Sequence, residues 1–446
     1  KCTIKKLLTN TLTMFFALPM FAQEILKEKQ QEDIDDKNAP KVEHKKSDKV
    51  KKIADQYVFV LDDDKVESFI KNITKNKKEF KTRDEKMQAY EKFEKVASQK
   101  VVQAAEKMGV DKNKISQVYV GSFSGFAVNI KEDKVKDIVA KAKAKNVDFS
   151  SLKGICQDFE INLNSVVENT EAVAAPQSQF TPWGISRVGS ADYTGYYWAW
   201  VLDTGIDLDH PDLNVASSGW HRTYVPGTSS ANDDHGHGSH CAGIIAARNN
   251  TVGVKGVAAN ATVVPVKVLN YAGSGNWSWI LAGVQYVNSV AWSGDVVNMS
   301  LGGGAPSSWD EFWYWATGDD RLDMENAIRA GANKGIRYVL AAGNDAQSAT
   351  NQTPARVNGT NIYTVSAMNW YGCLADFSNY GTPVDYAEPG VDNYSCYKNG
   401  GYAYMSGTSM AAPHLAGILL STGGTVRSGG TICGDKDSSA DRIGIR

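Results

Sequence analysis

From residue 183 onward, short runs of buried-strand character alternate with stretches of helical pattern. Strands and helices that alternate in this way form a mostly parallel sheet with helices on both faces. In such a sheet, reactive side chains gather at the carboxyl ends of the strands. The predicted strands are residues 199–202, 262–268, 295–299, 337–342 and 361–365.

The chain before this region has a different composition. Residues 1–177 carry 33 Lys and Arg against 28 Asp and Glu, a balance of +5, whereas residues 178–446 carry 15 against 22, a balance of −7. The early part shows a βαββαβ order, which predicts a small ferredoxin-like α+β domain ahead of the α/β domain. Its predicted elements are strand 56–61, helices 64–75 and 85–108, two strands within 117–130, helix 134–145 and strand 158–163.

The start of the chain has the pattern of a secretory signal. Lys5 and Lys6 precede an apolar run that ends at Ala22, so residues 1–22 are interpreted as a signal peptide. The run is short for a membrane-spanning helix. Residues 23–54 are rich in Lys, Glu, Asp and Gln and are predicted to be a disordered charged leader. We expect a secreted protein, extracellular or periplasmic, whose mature form has no membrane attachment.

Three segments carry residue types that nucleophilic catalysis uses. Asp203 ends a predicted strand just before Thr-Gly, His237 lies in the run His-Gly-His-Gly-Ser-His, and Ser409 lies in Gly-Thr-Ser-Met-Ala. Each segment also has a simpler interpretation. Asp203 and Ser409 are typical turn or helix caps, and the three histidines suggest a metal, although none has the spacing of a zinc protease.

Taken together and in this order, the segments DTG, HGxH and GTSMAAPH resemble the subtilases, the family of subtilisin and proteinase K. The resemblance covers about residues 182–420 and implies a serine endopeptidase with a subtilisin-like three-layer α/β fold. It implies that Asp203 orients His237, which removes the proton of the nucleophile Ser409. An α/β-hydrolase would have a different order and a GxSxG turn, whose second glycine is missing here.

The resemblance also assigns the residues around this triad. Asn344 is implied as an oxyanion donor beside the backbone N–H of Ser409, and Gln352 is implied near the base of the specificity pocket. An extended substrate is expected to pair as a strand with two glycine-containing walls, each of which also reads as an ordinary loop. The implied substrate-binding residues are Gly273, Ser274, Gly275, Ser300, Leu301, Gly302, Ala342 and Gly343.

Residues 247–254 resemble the calcium loop of subtilisin, although an Asn-rich surface turn is the alternative. The resemblance implies a structural Ca²⁺ held by six oxygens, a usual number for this ion. No organic cofactor is expected. The implied ligands are the side chains of Gln179, Asp212 and Asn250 and the carbonyl groups of Arg248, Val252 and Val254.

The early domain, residues 55–168, resembles the subtilase propeptide in element order and position. This resemblance implies an intramolecular chaperone and inhibitor. Residues 169–177 are the expected processing linker, and we expect autocatalytic cleavage between Thr170 and Gln179. We assign residues 178–420 to the catalytic domain and residues 421–446 to a polar, glycine-rich extension, for which the sequence indicates no role.

Six cysteines are too few for a disulfide scaffold. We expect a Cys373–Cys396 disulfide, because both residues lie in loop-like segments of an exported protein. The HCAG run, similar to that of proteinase K, implies a buried free thiol at Cys241.

The rival to an active protease is a non-catalytic binding protein on the same fold. The complete triad and Asn344 favour the enzyme. Expected partners of this monomer are protein or peptide substrates and its own propeptide, and the acidic second part gives no support to nucleic-acid binding.

Overall fold

A computed structural model describes most of the chain. The described residues are 50–61, 80–143, 152–163, 167–173, 178–305, 313–316, 324–437 and 440–446. All of them belong to the compact unit Lys46–Arg446. The signal peptide and most of the charged leader lie outside the described residues, as does the predicted helix 64–75.

The helices of the described residues follow the predicted alternation. The longest, in the early part, begins at the N-cap Thr82, whose hydroxyl accepts a hydrogen bond from the Glu85 N–H at 3.2 Å. The α-helices are α1 (Arg83–Lys107), α2 (Glu132–Lys143), α3 (Trp183–Val188), α4 (His237–Ala246), α5 (Trp277–Val290), α6 (Met324–Asn333) and α7 (Thr408–Thr422).

The strands fall into an early antiparallel set and a later, mostly parallel set. In the described residues they are β1 (Lys52–Leu61), β2 (Ile115–Val120), β3 (Ser124–Asn129), β4 (Leu152–Asn162), β5 (Val167–Val173), β6 (Ala191–Asp192), β7 (Ala199–Asp203), β8 (Arg222–Thr223), β9 (Ala258–Ala259), β10 (Val263–Lys267), β11 (Ser274–Asn276), β12 (Val296–Met299), β13 (Gly303–Gly304), β14 (Trp313–Ala316), β15 (Arg337–Ala341), β16 (Gln352–Thr353), β17 (Ile362–Met368), β18 (Val384–Pro389), β19 (Asn393–Cys396), β20 (Tyr402–Ser406), β21 (Arg427–Thr431) and β22 (Arg442–Ile445).

The central sheet confirms the predicted parallel α/β architecture. Its order is β21-β22-β18-β17-β15-β12-β7-β10-β8, and every neighbouring pair is parallel except β21 with β22. Alternate residues of β7 enter opposite cores. Ala199 and Val201 pack with α4 and α7, whereas Trp200 and Leu202 pack with α5 and α6. The strands are therefore buried on both faces, as their continuous apolar runs require.

The early part forms a four-stranded antiparallel sheet in the order β4-β1-β3-β2. One face packs on α1 and α2, where Phe59 and Phe126 stack with ring centroids 4.8 Å apart. The other face packs on α5, where the ring centroids of Phe159 and Trp277 lie 4.4 Å apart. The strand β1 begins at Lys52, so the predicted leader is ordered before residue 54, its expected end.

The last residues fold back on the catalytic sheet. Helix α7 ends at Thr422, two residues beyond the expected end, where Gly423 adopts φ 71°. The hairpin of β21 and β22 then extends the edge of the sheet beside β18. The described residues of 421–446 therefore pack onto the edge of the central sheet.

The expected Cys373–Cys396 disulfide is wrong. Cys373 is bonded to Cys433 in the segment before β22, and the two residues are 60 positions apart in sequence. Cys396 is a buried free thiol in β19, under α4. The sequence could not reveal this pairing, because it depends on where the last hairpin docks.

Among the described residues, no helix combines the length and the apolar composition that crossing a bilayer requires.

Candidate active site

Asp203 and His237 meet at the carboxyl end of β7. Asp203 is its last residue, and His237 is the first residue of α4. The Nδ1 of His237 lies 2.8 Å from Oδ1 of Asp203, and both side chains are fully buried. Gly238 allows this approach, because a Cβ there would lie 2.0 Å from the carbonyl oxygen of Gly205. The pair has the geometry of a base held by its orienting carboxylate.

Asp233 connects the Asp203 and His237 segments and was not predicted. Its carboxylate accepts hydrogen bonds from the Thr204 hydroxyl at 2.8 Å, the Gly236 N–H at 2.8 Å and the Ser239 hydroxyl at 2.6 Å. The Thr204 hydroxyl also accepts the N–H of Gly238 at 3.0 Å. One buried carboxylate thus fixes both catalytic loops. The available signal was the acidic pair Asp233-Asp234 immediately upstream of the HGHGSH run, of which Asp233 is the first residue.

The His237 pKa is held well above its usual value. Burial acts to lower this pKa, but the Asp203 carboxylate and Cys241 raise it more strongly. Cys241 lies one turn along α4, with its Sγ 4.0 Å from Nδ1 of His237 and 3.4 Å from the carbonyl oxygen of Ser409. Cys241 is a buried free thiol that packs between the segment of His237 and the segment of Ser409.

His240, the last histidine of the HGHGSH run, forms hydrogen bonds that hold the fold together. His240 donates from Nε2 to the backbone carbonyl groups of Asn393 and Ala403, at 2.9 and 3.1 Å. Burial lowers its pKa to about 3, so it is neutral. These contacts favour a packing role for His240 over a metal ligand.

Ser409 lies in the first turn of α7, at the end of the helix dipole that favours an incoming anion. Its hydroxyl donates to the carbonyl oxygen of Ser300 at 3.2 Å. The Nε2 of His237 is buried and has no hydrogen-bond partner among the described residues. No hydrogen bond therefore joins His237 to Ser409, although a base and a nucleophile would need one in a reactive state.

Asn344 follows β15 and faces the start of α7. Its Oδ1 accepts from both the N–H and the hydroxyl of Thr408, at 2.8 and 2.9 Å. The Thr408 hydroxyl accepts the Gly343 N–H at 3.0 Å. With Oδ1 occupied, the Nδ2 of Asn344 is the group left to donate to an oxyanion. Thr408 is therefore a positioning residue that the motif contained but sequence reasoning did not single out.

The chain's own residues pair with the predicted substrate walls. Strand β4 pairs antiparallel with β11, and the Leu163 N–H donates to the Gly273 carbonyl oxygen at 2.8 Å. On the other wall, Asn162 pairs with Gly302. The pattern adds the end of β4 as a strand between the two walls, in the manner of an extended peptide.

The strand that follows β4 in sequence, β5, pairs close to Ser409. Strand β5 pairs antiparallel with β20, with Val167 opposite Ser406, three residues before Ser409. Residues 164–166 lie outside the described residues. The other predicted binding residues, Leu301, Ala342 and Gly343, line a small cavity next to Ser409 together with Gln352.

The predicted calcium ligands converge on one point. The Nε2 of Gln179 lies 2.6 Å from the carbonyl oxygen of Arg248, 3.2 Å from Oδ1 of Asn250, 3.4 Å from the carbonyl oxygen of Val252 and 3.0 Å from that of Val254. An amide nitrogen has two hydrogens and cannot satisfy four acceptors. A hard cation coordinated by oxygens would satisfy all of them, so these residues fit Ca²⁺.

Asp212 supplies the carboxylate at this position. Its Oδ1 accepts from the Asn250 side chain at 2.7 Å, and its Oδ2 accepts the Val254 N–H at 2.9 Å. The carboxylate is fully buried beside the four oxygens. A buried carboxylate at this position adds the negative charge that a bound cation would balance.

The chain is similar to known proteases over this region. The model of the subtilase family matches residues 200–422. The M-protease of Shouchella clausii is 37% identical over 271 residues, 58% of this chain and 64% of that protein, so the chain spans slightly less than two thirds of its length. Subtilisin J of Geobacillus stearothermophilus is 33% identical over 71% of this chain and 81% of its own. A cold adapted subtilisin-like serine proteinase of known structure covers 59% of this chain and 97% of its own, with 29% identity and a TM-score of 0.50.

Proposed function

The chain belongs to the subtilase family and contains a subtilisin-like serine protease domain, and we propose that the whole protein is a secreted endopeptidase made as a self-processing, inactive precursor. The observation that carries the proposal is the buried Asp203–His237 pair next to Ser409 and Asn344. Its substrates are proteins and peptides. No observation favours a second function.

The proposed mechanism assigns one role to each residue. Asp203 holds His237 with Nδ1 protonated, so that Nε2 removes the proton of Ser409 as it attacks the substrate carbonyl. The developing oxyanion receives hydrogen bonds from Nδ2 of Asn344 and from the N–H of Ser409. His237 then donates its proton to the leaving amine, and water repeats the sequence on the acyl-enzyme.

The early domain acts as the inhibitor in this proposal. Its strand β4 occupies the same walls that a substrate would use, so substrates are excluded while it is bound. It is also anchored at the first turn of α5, where Asp158 accepts the N–H of Ser278 at 3.0 Å. Burial raises the pKa of Asp158 to about 6.

The pairing on both sides of Ser409 supports a proposal for the position of the first cut. The sequence predicts a cut between Thr170 and Gln179. The chain is paired on both sides of Ser409, however, by the residues that end at Leu163 and by those that begin at Val167. Peptide bonds held next to a nucleophile at high effective concentration react first. We therefore propose that the first cut falls between Leu163 and Val167.

The proposal also includes a structural calcium ion and export of the protein. Gln179, Asp212 and the loop that contains Asn250 would hold a structural Ca²⁺ that stabilises the folded catalytic domain. The ion would take no part in the chemistry. Export rests on the charged start and apolar run of residues 1–22.

The test of the proposed activity is a labelling experiment. Purified protein is incubated with casein and, separately, with a fluorophosphonate that reacts with activated serines. We expect casein hydrolysis that the phosphonate abolishes, with the label on Ser409 and no label in the Asp203→Asn variant. A protein that binds casein but neither cleaves it nor takes the label would be a binding protein on a protease fold.

A further inference from the structure

The small cavity beside Ser409 has one long polar side chain in its wall. Its other lining residues include Gly302, Gly343, Asn344 and Ser409, which leave room for a side chain next to the reacting carbonyl. The long residue is Gln352 in β16, whose side chain is 2% exposed. A side chain that enters this cavity must therefore contact Gln352 or displace it.

The amide of Gln352 has a fixed orientation. Its Nε2 donates to Oδ2 of Asp345 at 2.9 Å. A carboxylate only accepts hydrogen bonds, so the nitrogen must face Asp345 and the oxygen must face away from it. That oxygen, Oε1, is buried and has no hydrogen-bond partner in the described part of the chain. Gln352 thus offers an unused acceptor in the wall of the cavity, and buried acceptors are stabilised when a donor reaches them.

We propose that this site selects substrates whose residue on the amino side of the scissile bond has a short, neutral side chain with an N–H donor, and that asparagine is preferred. This inference rests on the proposed endopeptidase function. The carbonyl carbon of that residue is the one that Ser409 attacks beside Asn344, so its side chain is the one next to the cavity. The carboxamide of asparagine donates to Oε1 of Gln352 and occupies the space that Gln352 leaves.

The same wall disfavours other side chains. Leucine has the same branching and number of side-chain heavy atoms as asparagine, but it is larger and leaves Oε1 without a donor. Aspartate presents a negative charge to Oε1 and to the nearby Asp345 carboxylate. Phenylalanine is larger than the space beside the buried Gln352, so it enters only if that side chain moves.

The chain's own sequence agrees with this preference. Asn162 pairs antiparallel with Gly302. In an antiparallel pair, a residue two positions later on one strand faces a residue two positions earlier on the other. A substrate that pairs with Gly302 as Asn162 does would therefore present the residue two positions later to Ser300, whose carbonyl accepts the Ser409 hydroxyl. In the sequence, the residue two positions after Asn162 is Asn164, which is followed by Ser165, and both lie outside the described residues.

The first arm of the test compares substrates. Internally quenched peptides share the sequence Glu-Ile-Asn-Leu of residues 160–163, followed by Asn, Leu, Asp or Phe and a common remainder. The processed enzyme is titrated with the phosphonate so that rates refer to active sites. We expect kcat/KM for Asn to exceed that for Leu by about tenfold, the effect of about one buried hydrogen bond. Asp and Phe should be cleaved more slowly than Leu.

The second arm compares variants. Gln352→Leu keeps the volume but removes the acceptor, and it should reverse the order of Asn and Leu. Gln352→Ala opens the cavity and should raise the rate for Phe. Gln347→Leu, the same change at a residue outside the cavity wall, should leave the Asn preference intact. Melting temperatures and phosphonate titration show that each variant is folded.

The outcomes separate the two proposals. If no peptide and no casein are cleaved and Ser409 is not labelled, the proposed function is wrong and the specificity falls with it. If the enzyme cleaves casein but treats Asn and Leu alike, or cleaves the Asp or Phe peptide faster than the Asn peptide, only the specificity is overturned. An Asn preference that survives Gln352→Leu would also overturn it, because the donor–acceptor contact would not be its cause.

Discussion

At the residue scale, the orientation of the proposed oxyanion donor Asn344 depends on Thr408 at the start of α7. The N–H and the hydroxyl of Thr408 both donate to Oδ1 of Asn344, and the same hydroxyl accepts a hydrogen bond from the Gly343 N–H. The motifs were sufficient to predict the triad and Asn344, because each lies in a short segment with a distinctive order. They could not reveal that Thr408 orients Asn344, since this contact joins two segments 64 residues apart.

We expect Asn344→Leu to lower kcat by about 10²–10³-fold with little change in KM, the range established for loss of one such donor in subtilisin itself. Thr408→Val removes one of two anchors of Oδ1 and should lower kcat by about tenfold. Thr408→Ser keeps the hydroxyl and is the matched control. Steady-state kinetics on one peptide measures all three, and a Thr408→Val effect confined to KM would contradict the positioning role.

At the scale of elements, the final hairpin is the part that the sequence did not predict. Glycine-rich, polar residues 421–446 carry no strong periodic pattern. They form strands because the open edge at β18 offers backbone partners and because Cys433 bonds to Cys373. The helices and central strands, by contrast, follow from apolar patterns that are local in sequence.

Loss of the Cys373–Cys433 bond should destabilise the mature enzyme. A bond that closes a loop of 60 residues stabilises a fold by about 4 kcal/mol in the chain-entropy account. Cys433→Ser should lower the melting temperature, and the double variant with Cys373→Ser should melt at the same temperature as the single variant. Equal melting of wild type and Cys433→Ser without reductant would show that the bond contributes nothing.

The calcium loop gives a second prediction at this scale. A ligand at 100 times its dissociation constant stabilises the folded state by about 2.7 kcal/mol. Calcium should raise the melting temperature of the wild type, and excess chelator should reverse the rise. Asp212→Asn should abolish the calcium response, whereas Asp209→Asn, at an exposed neighbour, should keep it. An identical response in the two variants would refute the assigned ligands.

At the scale of the whole molecule, the early and catalytic parts share one core, and Arg83 is an anchor between them. Its guanidinium contacts both oxygens of Asp295, at 2.8 and 2.6 Å. It also lies over the rings of Trp198 and Trp292, 4.1 and 4.6 Å from their centroids. Composition predicted the two parts, but it could not predict this contact, which joins residues 212 positions apart.

Arg83→Ala should weaken inhibition by the early domain after it is cut. Buried arginine anchors at interfaces are worth about 2–4 kcal/mol, which corresponds to about 30- to 700-fold in affinity. The variant should therefore show casein hydrolysis sooner after self-cleavage than the wild type. Lys112→Ala, at an exposed pair on the same domain, is the control. An unchanged delay in Arg83→Ala would mean that other contacts hold the inhibitor.

The central claim is that Ser409 is the nucleophile of a protease that first cleaves its own chain. The most direct measurement is the intact mass and N-terminal sequence of the wild type and of Ser409→Ala, both made in a system free of other proteases. We expect the wild type to separate into two fragments at a bond between Leu163 and Val167, and Ser409→Ala to stay intact and folded. Cleavage of Ser409→Ala at the same bond and rate would contradict the account.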